Sequence, residues 1–99
     1  MNRILIIEDE GAVRRLLADM LKLEGYQTCE AENGLRGVEL AKADAPDLII
    51  CDIMMPGLDG FGVLRALREN PVTACLPFIF LSAKAETRDL RAGMNLGAD

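Results

Sequence analysis

Apolar residues follow two rhythms along this chain. Arg3-Ile4-Leu5-Ile6-Ile7, Leu48-Ile49-Ile50-Cys51 and Pro77-Phe78-Ile79-Phe80-Leu81 are short, nearly unbroken apolar runs. Their length and continuity predict strands buried on both faces of a parallel sheet. Between them the apolar positions return at helical spacing. Val13, Leu16, Leu17, Met20, Leu21 and Leu23 form a stripe within Ala12–Glu24, and Gly25 closes that helix. Tyr26 to Ala31 is more polar and alternates, which suits an edge strand. Asn33-Gly34 opens a second helix with Leu35, Val38 and Ala41 on its inner face, and Ala45-Pro46-Asp47 ends it. A third helix over Gly60–Asn70 turns Phe61, Leu64 and Leu67 towards the core, and Pro71 begins a loop. Beyond the last apolar run, Glu86 to Met94 reads as a short helix interrupted by Gly93, and Leu96 to Asp99 as a turn.

Strand and helix therefore alternate, which predicts an α/β fold with a parallel sheet and helices on both faces. Right-handed crossovers leave two doubly wound strand orders in competition. The dinucleotide-binding order wants Gly-x-Gly-x-x-Gly after the first strand, but Glu8-Asp9-Glu10-Gly11 stands there and would repel a pyrophosphate. The flavodoxin-like order 2-1-3-4(-5) is expected instead, with the polar second strand at an edge and the first and third strands adjacent. A strand as apolar as Phe78–Leu81 wants neighbours on both sides. The fifth strand and last helix are accordingly expected to be missing from this chain, leaving a fourth-strand edge through which the domain could dimerise.

Composition narrows the function classes. Ninety-nine residues support one domain, residues 1–99, and 51% hydrophobic content supports a packed one. A net charge of −5 argues against direct nucleic-acid binding. No apolar run reaches the ~20 residues of a membrane helix, and no signal peptide opens the chain, so a cytoplasmic protein is expected. Cys29, Cys51 and Cys75 lack metal-ligand spacing and read as small buried hydrophobes; without histidine, Ser-His and Cys-His nucleophile pairs are excluded.

The chemistry gathers after Leu48-Ile49-Ile50-Cys51, where Asp52 is carried to the carboxyl end of a central strand and Met-Met-Pro-Gly follows. That edge is where open α/β sheets bind ligands. The predicted order brings Glu8 and Asp9 beside Asp52, with Ser82 at the end of the next strand. Converging carboxylates raise one another's pKa unless a cation joins them. Mg²⁺ suits such a site, because it takes one or two carboxylates and keeps several waters. Asp52 could then act as a nucleophile towards a phosphoryl group, with Ser82 donating a hydrogen bond to a transferring oxygen. Each residue also has an ordinary reading. Glu8, Asp9 and Glu10 could favour a helix start, Asp52 could cap a loop, and Ser82 could cap a helix. Met54 and Met55 read as packing residues, Asp59 as part of the turn before the third helix, and Lys84 as a surface charge.

Taken together, Ile4-Leu5-Ile6-Ile7-Glu8-Asp9-Glu10, Asp52-Ile53-Met54-Met55-Pro56-Gly57-Leu58-Asp59-Gly60, Leu81-Ser82-Ala83 and Leu96-Gly97-Ala98-Asp99 resemble the receiver domains of bacterial two-component response regulators. The resemblance spans the whole chain with its motifs in register. It implies that Asp52 accepts a phosphoryl group from a sensor-kinase phosphohistidine. Asp9, Asp52 and the Met54 main-chain carbonyl would ligate Mg²⁺, with Glu8 assisting through water. Ser82 would be the switch hydroxyl, Pro56 and Gly57 would shape the loop, and Met54 and Lys84 would tune the lifetime of the phosphoryl group. The family's lysine after a fifth strand has no counterpart here.

The implied function is a phosphoacceptor signalling switch that catalyses only its own phosphorylation and dephosphorylation. Its implied partners are a sensor histidine kinase or phosphotransfer protein and an output domain beyond residue 99. Two alternatives compete. A non-phosphorylated interaction module fits the missing lysine. A Mg²⁺-dependent aspartyl-phosphate phosphatase would want a second carboxylate where Met54 stands.

Overall fold

The computed structural model describes residues 2–81. Strands β1 (Arg3–Ile7), β2 (Gln27–Ala31), β3 (Leu48–Asp52) and β4 (Phe78–Leu81) alternate with helices α1 (Gly11–Leu23), α2 (Gly34–Asp44) and α3 (Gly60–Glu69). Every strand pair is parallel and the order is β2-β1-β3-β4, the expected flavodoxin-like arrangement. The predicted helix over Glu86–Met94, the turn at Leu96–Asp99, Ser82 and Lys84 lie outside the described residues. Among those described, β4 is the second edge, and its Ile79 is 43% exposed.

Because side chains alternate across a strand, each run feeds two faces. Leu5, Ile7, Ile49, Cys51, Phe78 and Phe80 enter one core with Val38 and Ala41 of α2 and Val63, Leu64 and Leu67 of α3. Ile4 and Ile6 turn the other way and meet Ala18 of α1, with Leu17, Leu21, Leu48 and Ile50 packed around them. Phe80 meets Phe61 and Phe78 edge-on, with ring centroids 5.1 and 5.2 Å apart, a favoured aromatic geometry.

Several expectations need correction. The α1 stripe is only partly buried. Leu16, Met20 and Leu23 are exposed, while Ala18, absent from the stripe, is fully buried. Small Ala18 packs with Ile4 and Ile6 of β1, a position an apolar stripe does not mark. In α2 the inner face is Gly34, Gly37, Val38 and Ala41, and Leu35 points outward. A Cβ on Gly37 would strike Ile7, and one on Gly34 would strike the Leu58 carbonyl. Close packing thus puts glycines where an apolar pattern shows nothing. Cys75 is exposed, in the turn before β4, rather than buried.

Side-chain caps fix the ends of two helices. Asn33 Oδ1 accepts from Arg36 N–H at 2.8 Å, and Asp59 Oδ1 accepts from Gly62 N–H at 2.9 Å. The segment after α3 is braced from within. Thr73 Oγ1 donates to the Leu67 carbonyl, while Arg68 Nη1 donates to the carbonyls of Ala74 and Leu76. These bonds deliver β4 alongside β3.

Candidate functional site

Parallel register builds the site. Ile7 pairs with Cys51 across β1 and β3, so the next residues, Glu8 and Asp52, emerge side by side at the carboxyl edge. Asp52 is itself paired with Leu81 of β4. Glu8 and Asp52 are 1% and 2% exposed, whereas Asp9 sits nearer the surface. One oxygen from each of the three carboxylates lies within 4.8 Å of the others.

These groups are poorly satisfied by the protein itself. Asp9 Oδ1 and Asp52 Oδ2 are enclosed without a hydrogen-bond partner. The Glu10 N–H donates to Glu8 Oε2, but at 3.3 Å. Burial pushes the Glu8 carboxyl up to about 7 from 4.5, and the neighbouring carboxyls of Asp9 and Asp52 push the same way. A buried polar atom left unpaired costs roughly 1–3 kcal/mol. Acidic oxygens that converge with so few internal donors fit a hard divalent cation, which supplies the missing positive charge.

The surrounding loop is shaped by glycine. Gly57 has φ +75°, a left-handed conformation that favours glycine, directly after Pro56. At Gly60 a Cβ would meet the Asp52 carbonyl and the Ile53 Cα, so only glycine lets α3 start this close to β3. Gly60 N–H donates to the Ile53 carbonyl at 2.9 Å and closes the loop. Of the two methionines taken as packing residues, Met55 is buried but Met54 is 62% exposed. Asp59 does belong to the turn, as the α3 cap.

The structure therefore brings Glu8, Asp9 and Asp52 together. It also adds two residues that sequence reasoning missed. Arg14 Nη1 donates to the Glu8 main-chain carbonyl at 2.8 Å, and Arg14 Nε contacts Glu30 Oε1 at 3.3 Å. On the sequence, Arg14 was one cation on a polar helix face and Glu30 one polar residue of an edge strand. The buried Cys51 thiol is pushed up, mainly by burial and further by Asp52, so it remains protonated.

A doubly wound domain with an acidic, cation-suited edge at its switch point is thus defined by fold and site alone. Residues 4–99 match the response regulator receiver domain family, and the chain belongs to that family. It is 46% identical over its full length to the transcriptional regulatory protein PcoR of Escherichia coli, covering 43% of that protein. Protein PilH of Pseudomonas aeruginosa is 40% identical over 99% of this chain and 81% of its own length. The receiver domain of a signal transduction histidine kinase from Syntrophus aciditrophicus superposes with a TM-score of 0.88 at 35% identity, covering the whole chain and 75% of that structure. The chain spans about 40% of the length of transcriptional regulators such as the ycf27 protein of Porphyridium aerugineum. It is a receiver domain of the response regulator family, and PcoR, one of its relatives, is a transcriptional regulatory protein. Among the described residues no helix is long and apolar enough to cross a membrane.

Proposed function

We propose that Asp52 is the phosphoacceptor and that Glu8, Asp9 and Asp52 hold Mg²⁺ during transfer. One observation carries this reading: three carboxylate oxygens within 4.8 Å, two of the carboxylates retaining an enclosed oxygen without a partner. In the transfer, an Asp52 oxygen attacks phosphorus in line. The bond from phosphorus to the donor, a phosphohistidine nitrogen or an acyl oxygen, breaks, and its electron pair leaves with the donor. Bound Mg²⁺ would offset the charge of the carboxylates and of the transferring oxygens. Asp9, Asp52 and the Met54 carbonyl are its proposed ligands, with Glu8 reaching it through water.

The protein's own part is orientation. Strand β3 is buried among β1, β4 and the α3 core, so the Asp52 backbone is fixed before the donor arrives. Pro56 and Gly57 fold the loop back to Gly60, whose N–H closes it on the Ile53 carbonyl. Ser82 is assigned as the hydroxyl that turns to the phosphoryl group, while exposed Met54, at the mouth, and Lys84 tune its lifetime. A sensor kinase or phosphotransfer protein is the physiological donor, and the changed surface is read by an output domain or partner.

The test is incorporation from acetyl phosphate with Mg²⁺, followed by intact mass and peptide mapping. Wild type should gain one phosphoryl group at Asp52, chelation should abolish the gain, and Asp52→Ala should remain unmodified. Equal incorporation by wild type and Asp52→Ala would sink the assignment.

A further inference from the structure

Strand β1 ends at Ile7, yet its pairing to β2 runs one bond further: Glu8 N–H donates to the Ala31 carbonyl at 3.1 Å. In a parallel ladder the next bond would bring the Asn33 N–H to the Glu8 carbonyl. Asn33 has already left the strand and caps α2. The Glu8 carbonyl is met instead by Arg14 Nη1 at 2.8 Å, from the first turns of α1.

Arg14 is itself held. Its Nε lies 3.3 Å from Glu30 Oε1, both side chains are mostly covered, and Arg15 Nε reaches the same oxygen at 3.7 Å. The guanidinium thus spans from the penultimate residue of β2 to the peptide joining Glu8 to Asp9. That peptide carries a carboxylate on either side, one buried and one near the surface. Fixing its plane restrains the backbone from which both carboxylates leave the main chain.

We propose that Arg14 is a positioning residue for the acidic site, setting the Glu8–Asp9 peptide through its carbonyl while Glu30 holds the guanidinium. This inference rests on the reading of Glu8, Asp9 and Asp52 as the Mg²⁺-binding phosphoacceptor site. The chosen contact matters chemically. A guanidinium paired directly with Asp9 or Asp52 would neutralise the carboxylates and compete with a cation. Bonded to the carbonyl, Arg14 orders them and spends its charge on Glu30. Outer groups that orient metal ligands affect metal affinity by roughly 10- to 100-fold when removed.

The experiment uses Arg14→Gln, Arg14→Lys and Glu30→Gln beside wild type. Mg²⁺ affinity is read by titration calorimetry, and phosphorylation by acetyl phosphate is followed as a function of Mg²⁺ concentration. Amide hydrogen exchange over residues 8–11 is measured in the metal-free proteins. Arg14→Gln should raise the Mg²⁺ concentration for half-maximal rate about 10-fold, while the rate at saturating Mg²⁺ stays near wild type. Exchange over residues 8–11 should quicken. Arg14→Lys, which keeps the charge but not the guanidinium fork, should fall between the two, and Glu30→Gln should shift the same quantities by a smaller factor. A merely structural role would lower the melting temperature without moving the Mg²⁺ midpoint of the folded protein. If Arg14→Gln fails to fold, Arg14→Lys and Glu30→Gln decide the matter by the same readouts. Unchanged Mg²⁺ midpoints in the folded variants overturn the role of Arg14 alone. A wild type that takes no phosphoryl group and binds no Mg²⁺ overturns the site reading beneath it.

Discussion

The core beneath α2 and α3 and the carboxyl edge of the same sheet follow opposite rules. In the core, Leu5, Ile7, Ile49, Val63, Leu64, Leu67 and Phe78 are at most 1% exposed and are packed against one another. At the edge, residues just as deeply buried are carboxylates, and two of their neighbourhood's oxygens are enclosed without partners. The two regions are only one residue apart along β3, at Cys51 and Asp52. Core packing stabilises the fold, and the edge draws on that stability to hold like charges together. Sites that break the rules of packing in this way are where function is expected.

The comparison is tested most strongly by cutting into the core. Leu64→Ala should cost about 2–5 kcal/mol, the range for deleting a buried leucine side chain. Leu16→Ala on the exposed side of α1 should stay within about 0.5 kcal/mol, as surface changes do. Urea denaturation of both variants measures the contrast. Similar losses would mean that α1's outward leucine is packed as tightly as Leu64, and the division of the molecule would fail.

The next effect lies where the two regions touch. Gly60 opens α3 against the Asp52 carbonyl and the Ile53 Cα. Gly60→Ala should cost about 1–3 kcal/mol from overpacking. The added Cβ meets backbone rather than a flexible side chain, so relief requires β3 or α3 to move. Phosphoryl incorporation at Asp52 should therefore slow even in protein that remains folded. Wild-type stability together with a wild-type rate would show that the close approach is slack.

Much of this architecture could be read from residues, and the exceptions have definite causes. The strand order followed from Glu8-Asp9-Glu10-Gly11 standing where a phosphate loop would need glycines, and from the polar character of Gln27–Glu30. Asp52 was legible because four apolar residues lead into a lone carboxylate. Apolar periodicity marks a helix face only to within one position, however. It overlooked buried Ala18, and Gly34 and Gly37, where a Cβ would clash, and promoted Leu16, Met20 and Leu35, which point outward. Arg14 and Glu30 were invisible for another reason. Their contact joins residues sixteen positions apart, and Arg14 acts on a main-chain carbonyl, which no side-chain motif records.

The acidic edge should also show a pH dependence of stability that the bound cation opposes. In the metal-free protein, burial and then the Asp9 and Asp52 carboxyls raise the Glu8 carboxyl to about 7, against 4.5 for the free group. Between those values the folded chain retains a proton that the unfolded chain has released. Unfolding free energy must then fall as pH rises through that window and level off above it. Glu8→Gln removes the titration and should flatten this part of the profile. Asp52→Asn removes one neighbouring carboxyl but leaves the burial, so it should shallow the slope without erasing it. Mg²⁺ works against the same slope, because ligation requires the carboxylates without their protons. Its stabilisation should therefore be greater at pH 8 than at pH 5.5. Urea titrations with and without chelator, at several pH values, measure both trends. A slope that survives unchanged in Glu8→Gln would place the titrating group elsewhere and remove Glu8 from the strained edge.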